Sequence, residues 1–388
     1  MFGQMAAMNM QMMLSTLLVY RLTGSAEAIG IMAIGGTVPH IFSSLYGGVI
    51  ADRMEKKYVL LISLGGFFAL SLGTAITLVT GWLNADTWWI LIIAWLILSI
   101  LMGLLMPALN SIIPTLVGKE RLMNAVSLNA MGRNGWRLVA PAAAGFLVEG
   151  FGFGVTYFVI SGLYLWAIVF MLFLPHTDKM LATGRSAIAE VVEGFKYLRK
   201  EPDVTWVLVF NLFAVVLAMP YMQMLPVFVD DVLKVDGVAV GARGLGILFS
   251  ISGAGAIVGS LILASLPDKK RGLMLLISTL FLGLVLTAFS FSASWVLSMV
   301  IMAFIGLGQT GMLTLSNTLA QHYSSDKFRG RVMGIFDMQY SFPGFAVYGA
   351  GLLTGLFGVQ WAVGSIAMTL AAISLVIMII SPRLRRLD

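Results

Sequence analysis

The stretch GGVIADRMEKK, residues 47–57, lies between two long apolar segments of the chain. Small residues end the first segment, and Asp52, Arg53, Lys56 and Lys57 follow directly. Lysine and arginine collect in the cytoplasmic loops of membrane proteins. The stretch therefore predicts a membrane boundary with an apolar span on each side.

The composition of the whole chain agrees with this prediction. Of the 388 residues, 59% are hydrophobic and 11% are charged, whereas soluble domains average about 25% charged residues. A spanning helix needs about 20 apolar residues, and open sheets are excluded because their backbone groups would be unpaired in hydrocarbon. The chain is thus predicted to be an all-α polytopic membrane protein.

Apolar runs of spanning length recur along the chain. They are 1–20, 28–51, 58–85, 88–117, 151–175, 204–229 and 244–267. Two longer runs, 272–325 and 338–382, hold two spans each, divided at 290–295 and 355–360. Segment 124–148 completes twelve predicted transmembrane helices. The first run has no basic leader or cleavage site, so we expect it to be a retained span.

The basic residues fall in alternate loops. These loops are 53–57, 119–121, 179–200, 269–271, 327–331 and 383–386. The excess of cations on one side places both termini in the cytoplasm. It also accounts for the net charge of +6, so the charge does not indicate nucleic-acid binding.

Internal repetition divides the chain into halves. At a shift of 216 residues, Gly30 corresponds to Gly246 and Asp52 to Asp268. At a shift of 207 residues, Asn110 corresponds to Asn317 and Asn124 to Arg331. We therefore predict two six-helix bundles, 1–174 and 204–388, joined by a linker at 175–203.

The linker is predicted to contain an amphipathic helix. Its apolar residues recur at helical spacing with charges around them: Ile188, Val191, Val192, Phe195 and Leu198. Such a helix would lie on the inner leaflet. It would act as a spacer or as a regulatory element.

Eight short motifs occur in an order that resembles one transporter family. They are LTGS (22–25), GGVIADR (47–53), NAVSLN (124–129), RLVAPAAAG (137–145), EGFKYLRKEP (193–202), LPVFVDDVL (225–233), NTLAQ (317–321) and RGRVMG (329–334). The chain resembles the enterobactin-exporter-like branch of the major facilitator superfamily, also called transmembrane secretion effectors, which includes macrolide-efflux-type proteins. The resemblance implies two pseudo-symmetric six-helix bundles and a transport function.

The resemblance implies a cytoplasmic gate at the opening stretch. In the family, the acid at Asp52 pairs with the start of the eleventh helix, and a carboxylate is stabilised at a helix N-terminus. The implied gating residues are Gly48, Asp52, Arg53, Lys56, Arg329 and Arg331. Glu55 departs from the usual glycine, and the lysines alternatively serve only as topology anchors.

Two arginines lie inside a predicted span. Arg133 and Arg137 are four residues apart and share one helix face. Charges inside hydrocarbon cost about 2.5–3.5 kcal/mol and usually face a cavity or a partner. An anionic substrate group or Asp337 would satisfy them, or they form a structural ion pair.

Asp337 is the one acid that we place inside a span. It is a candidate carrier of the coupling proton, because burial favours the protonated carboxyl group while a nearby arginine opposes it. His40 could relay protons, or it is a hydrogen-bonded structural residue.

Further candidates are helix-breaking or polar. The resemblance implies a bend in the fifth span at Pro141 and Gly145, although Ala140 replaces the usual glycine. Polar residues that could line the transport path share predicted spans one, four, seven and ten: Gln4, Asn9, Asn110, Asn211, Gln223, Gln309 and Asn317. Each could equally hold helices together.

The sequence thus predicts a proton-coupled exporter of small amphipathic or anionic molecules, such as siderophores or drugs, working by alternating access as a monomer in the plasma membrane. An importer or symporter of the same fold, or a receptor or scaffold, remains an alternative. The chain has three histidines and no cysteine, and no catalytic motif, cofactor or metal site is predicted.

Overall fold

The computed structural model describes residues 2–174, 187–266 and 269–388; the side chains of 44–53 and 187–191, and of several residues between 110 and 134, also lie outside the description. The first part of the chain forms α1 (Phe2–Thr23), α2 (Ala26–Arg53), α3 (Lys56–Val79), α4 (Trp89–Leu172) and α5 (Ala187–Leu198). The second part forms α6 (Pro202–Ala218), α7 (Pro220–Val227), α8 (Gly241–Ser265), α9 (Arg271–Ser290), α10 (Trp295–His322), α11 (Arg329–Met338), α12 (Pro343–Phe357), α13 (Val359–Ile380) and α14 (Pro382–Arg385).

Helix α4 is too long to be a single crossing. Its 84 residues would extend roughly 126 Å if straight, against about 30 Å of hydrocarbon. Gly152 lies inside it with a φ of +80°, which is outside the α-helical region. The backbone therefore turns there, and α4 contains the fourth, fifth and sixth predicted spans. Among the described residues, eight helical segments are long and apolar enough to cross a membrane.

Two predicted spans are interrupted. The seventh consists of α6, α7 and a π-helical turn at Phe228–Val232, with the first break before Pro220. The eleventh consists of α11, a 3-10 turn at Gln339–Ser341 and α12, which starts at Pro343. Proline lacks the N–H group that continues a helix, and its ring clashes with the preceding turn. The sequence predicted apolar runs here without these interruptions.

A short hairpin precedes α8. Strands β1 (Lys234–Val235) and β2 (Val238–Ala239) pair antiparallel. The two turn residues, Asp236 and Gly237, have φ values of 52° and 80°. Positive φ at both positions is the type I′ geometry that an Asp-Gly pair favours.

The chain forms two compact units. Unit one comprises Met1–Gly24, Ile34–Ala187 and Gly241–Ser250, and unit two comprises Ser25–Ala33, Ile188–Val240 and Ile251–Asp388. The start of α2 thus belongs to unit two, and the start of α8 belongs to unit one. These two segments, Ser25–Ala33 and Gly241–Ser250, start at residues 25 and 241. The two starting residues are 216 apart, so they occupy equivalent positions in the repeat.

Each unit has its own packing core. In unit one, the hydroxyl of Tyr164 donates to Oε1 of Gln11 at 2.8 Å, and the hydroxyls of Ser15 and Tyr157 lie 3.3 Å apart. In unit two, a Cβ on Gly283 would lie 2.7 Å from the Ala371 nitrogen. Such glycines let helix backbones approach closely in the membrane.

Candidate functional site

The break in the eleventh span carries a buried amide pair of unit two. The Asn211 Nδ2 donates to Gln339 Oε1 at 2.7 Å, and the Gln339 Nε2 donates to the Leu208 carbonyl at 2.9 Å. Both side chains are buried, and the Asn211 Oδ1 lacks a hydrogen-bond partner among the described atoms. The pair joins the seventh span to the 3-10 turn, and it leaves a buried acceptor beside that turn.

Asp337 lies two residues before Gln339 on the same span. Its side chain is exposed, and it lies three residues before Tyr340 in the chain. Within the described residues of unit two, Asp337 has no hydrogen bond or ion pair. An acid in this position can take up or release a proton without first breaking a salt bridge in its own unit.

Gln309 of α10 faces the other interrupted span. Its Nε2 lies 3.6 Å from the Met219 sulfur and 3.7 Å from the Met222 sulfur, on either side of the Pro220 break. Gln309 is 1% exposed. Thioethers are weak acceptors and adaptable packing groups, so these contacts join α10 to the segment around the Pro220 break.

Asn317 is engaged within its own helix. Its Oδ1 accepts from Gln321 Nε2 at 2.6 Å, one turn further along α10. The other predicted path residues are placed separately: Asn110 and Arg133 fall among the side chains outside the description, and Arg137 lies half-buried on α4 in unit one. Within unit two, the structure therefore brings Asn211 close to the segment that contains Asp337.

Pro141 and Gly145 pack against the start of α8 inside unit one. A Cβ on Gly246 would lie 2.5 Å from the Pro141 carbonyl oxygen, and one on Gly145 would meet the Ala242 carbonyl oxygen. The Ser250 hydroxyl adds a bond to the Leu138 carbonyl at 2.5 Å. The backbone stays helical through Pro141, so these residues form a close helix crossing, and the bend stays a prediction.

Two of the predicted gating residues, Arg329 and Arg331, form ion pairs within unit two. Gly48, Asp52 and Arg53 fall in the segment 44–53, whose side chains lie outside the description, and Lys56 is 4% exposed at the start of α3. Arg331 pairs with Glu193 of the linker helix at 3.0 Å, and Arg329 pairs with Asp326 at 2.7 Å.

The linker helix α5 docks on the start of α11. The Tyr197 ring stacks on Phe328 with centroids 4.5 Å apart, and its oxygen accepts from the Ser325 N–H at 3.0 Å. A Cβ on Gly194 would lie 2.9 Å from Ile335 Cδ1. The sequence predicts neither Glu193 nor Tyr197 as a contact residue, because their partners are more than 120 residues away.

Lys57 also has a contact that the sequence did not predict. Its Nζ donates to the carbonyls of Leu172 and Leu174 at 2.8 and 2.6 Å. These groups lie at the end of α4, where unpaired carbonyls attract a cation. Lys57 therefore joins the start of α3 to the end of the sixth span.

Metal ligands are not grouped in the part of the chain that the structure describes. No cluster of three histidine, cysteine, aspartate or glutamate side chains occurs there. The arrangement consists of helix breaks, buried amides and an acid, Asp337, that has no hydrogen bond or ion pair among the described residues of its unit, which suits binding and proton exchange.

The model of one protein family matches almost the whole chain. It is described as the Major Facilitator Superfamily, and it matches residues 1–348 and 240–387. The chain belongs to the Major Facilitator Superfamily. The protein is therefore a multi-pass membrane transporter of a small molecule and not an enzyme.

Curated relatives within the superfamily are enterobactin exporters. The chain is 25% identical over 373 residues to the enterobactin exporter EntS of Escherichia coli O1:K1, covering 94% of this chain and 83% of that protein. It is 26% identical to EntS of Shigella boydii serotype 18 with the same coverage.

Solved superfamily structures share the fold. A POT family transporter in complex with a thioalcohol conjugated peptide matches with a TM-score of 0.77 at 14% identity, over 99% of this chain and 95% of that chain. The nucleoside transporter NupG matches with a TM-score of 0.73 at 17% identity, over 97% and 96%. A bacterial homologue of the human lysosomal transporter Spinster matches with a TM-score of 0.76 at 11% identity, over 99% and 95%. At these identities the likeness establishes the architecture alone, and it confirms the predicted all-α fold.

Proposed function

We propose that the chain exports small amphipathic or anionic molecules of siderophore or drug type across the plasma membrane, in exchange for protons and by alternating access. The observation that carries the direction and the substrate class is the similarity to enterobactin exporters over 94% of the chain. In this proposal the two predicted halves, 1–174 and 204–388, work as a monomer with both termini in the cytoplasm.

Asp337 is proposed as the proton carrier. Two observations support this role. Asp337 forms no ion pair within the described part of unit two, and it lies beside the buried amide pair of Asn211 and Gln339. Because that pair joins the seventh span to the break in the eleventh, a change in charge at Asp337 would act on the packing between these two spans.

Arg133 and Arg137 are proposed to bind an anionic group of the substrate. Guanidinium groups bind carboxylates and phosphates through charge-assisted hydrogen bonds. Within unit two, Asn211, Gln309 and the methionines beside Gln309 are proposed separately as adaptable polar and apolar groups for a solute.

The cytoplasmic gate is proposed to work by exchange of partners. Arg331 is held by Glu193 at 3.0 Å, so Asp52 would have to share or replace that carboxylate. An arginine that can pair with either of two acids would give the gate two alternative pairings.

The experiment measures uptake of labelled enterobactin into inside-out membrane vesicles under an imposed pH gradient. The variant Asp337→Asn is expected to lose the gradient-dependent part of uptake, because asparagine cannot carry the proton. The matched control is Asp236→Asn in the hairpin, where asparagine tolerates the positive φ and keeps a favoured turn sequence.

Three results bear on the proposal. Gradient-driven uptake by the wild type and by Asp236→Asn, lost in Asp337→Asn, supports it. Normal gradient dependence in Asp337→Asn refutes the coupling role. Accumulation only in vesicles of the opposite orientation refutes export and favours an importer.

A further inference from the structure

The linker helix α5 and the turn after it present one continuous exposed face. It is formed by Val192, Phe195, Lys196, Arg199 and Lys200. At 3.6 residues per turn these positions fall within an arc of about 140°. The remaining arc contains Gly194, Tyr197 and Leu198, which are buried.

The buried side fixes the orientation of this face. Glu193 pairs with Arg331, and Tyr197 holds both the Ser325 amide and the Phe328 ring. These contacts clamp α5 onto the start of α11 within unit two. The helix therefore cannot rotate to bury its exposed side chains without breaking an ion pair and a hydrogen bond.

The exposed face combines half-exposed apolar side chains with cations that form no side-chain hydrogen bond or ion pair among the described residues. Val192 and Phe195 are 46% and 47% exposed. No side-chain hydrogen bond or ion pair of Lys196, Arg199 or Lys200 occurs among the residues that the structure describes. Water would solvate the cations but not the apolar pair.

We infer that this face is a docking surface for anionic phospholipids. A helix with apolar and basic side chains on one side lies in the headgroup region, with its apolar groups at the acyl boundary. Basic residues beside an anionic leaflet each contribute to the attraction. The opposite side of α5 contacts Arg331 and Phe328. Lipid bound to α5 would therefore also restrain the start of α11. This inference does not depend on which solute is carried.

The test uses the purified full chain in nanodiscs of phosphatidylcholine, with and without phosphatidylglycerol. Hydrogen exchange of the α5 amides is measured for the wild type and for the double variant Arg199→Gln/Lys200→Gln. The matched control is Arg385→Gln/Arg386→Gln, which removes two exposed cations of the same unit at α14.

Phosphatidylglycerol is expected to slow exchange in α5 of the wild type. Each cation should contribute roughly a fivefold slowing of exchange, so the double variant should lose up to about thirtyfold of the protection that phosphatidylglycerol gives. High salt should reduce the protection of the wild type in the same way. The control should keep the wild-type response. Equal protection in both lipids overturns the inference, and so does an equal loss in both double variants, because that would be a general effect of charge. A second variant, Phe195→Ser, should lose protection in both lipids.

Discussion

Replacing Gly351 with alanine is expected to loosen the crossing between α12 and the start of α2. A Cβ at this position would lie 2.6 Å from the Ala26 carbonyl oxygen and 3.1 Å from the Glu27 Cα. Both are backbone atoms of α2, so neither can rotate away as a flexible side chain would. The helices themselves have to separate.

The size of the effect follows from these distances. Carbon atoms pack best at about 3.5–4.0 Å, so the helices must separate by several tenths of an ångström, and a gap of 0.5–1 Å forfeits roughly a quarter to a half of each contact. Overpacking of this kind costs about 1–3 kcal/mol. Alanine in a helix stabilises the fold by about 0.5–1 kcal/mol relative to glycine, which offsets part of this cost. We expect Gly351→Ala to lower the free energy of unfolding by about 1 kcal/mol.

The control lies on the same helix. A Cβ on Gly349 would meet no atom within 4 Å, so Gly349→Ala should gain only the helix term and stabilise the protein. Thermal unfolding of the two variants and the wild type in one detergent is followed by tryptophan fluorescence. The expected order of melting temperatures is Gly349→Ala, wild type, Gly351→Ala. If Gly351→Ala melts at or above Gly349→Ala, the close crossing does not limit stability and the reasoning fails.

Two further predictions concern hydrogen bonds. Asn211→Leu should cost about 1–3 kcal/mol of folding stability, because it leaves the buried Gln339 amide oxygen unpaired. Asn317→Leu removes only a contact within α10 and should cost about 0.2–0.5 kcal/mol. Melting curves of the two variants compare these costs, and equal losses would contradict the prediction. Tyr197→Phe keeps the ring on Phe328 but removes the acceptor of the Ser325 N–H, so exchange at that amide should quicken by about two- to tenfold; unchanged exchange would show that this bond contributes nothing.

Several boundaries were predictable because local chemistry sets them. The division between α9 and α10 was expected at 290–295, and Ser294 accepts there from the Leu297 N–H at 3.4 Å. The division between α12 and α13 was expected at 355–360, and Gly358 has a φ of +81°. A serine cap and a glycine at positive φ act within a few residues, so the sequence signals them directly.

Other local features of the fold also have a signal in the sequence. Pro220 and Pro343 mark the interruptions of the seventh and eleventh spans. The Asp236-Gly237 pair marks the hairpin. Apolar content outweighed these signals, because a run of 20 apolar residues predicts a span whether or not its backbone is continuous.

The contacts of the candidate site could not be predicted from one sequence. Glu193 and Arg331 are charged residues in two separate basic segments, and several acids could have been the partner. The pairing depends on the position at which α5 docks, which Gly194 and Tyr197 determine through packing. Lys57 likewise contacts backbone carbonyls, which carry no sequence signature.

The repeat explains why the chain contains two equivalent glycine crossings. A Cβ on Gly30 would lie 2.8 Å from the Tyr348 Cα, and one on Gly246 would lie 2.5 Å from the Pro141 carbonyl oxygen. These two glycines are 216 residues apart, and their crossings lie in unit two and unit one respectively. Close approach requires a residue without a side chain at the same helix position, so duplication preserves the glycine while other residues diverge.

The two crossings differ in charge. In unit one, Arg243 pairs with Glu149 at 2.7 Å, with both side chains substantially exposed. The 216-residue shift places Glu27 at the position equivalent to Arg243, so an acid stands in unit two where a base stands in unit one. An exposed ion pair stabilises by about 0–1 kcal/mol, and salt weakens it. This energy is smaller than the cost of overpacking either crossing, which is about 1–3 kcal/mol. Backbone contact therefore dominates both crossings, and among the described residues only the crossing in unit one should respond to ionic strength through an ion pair.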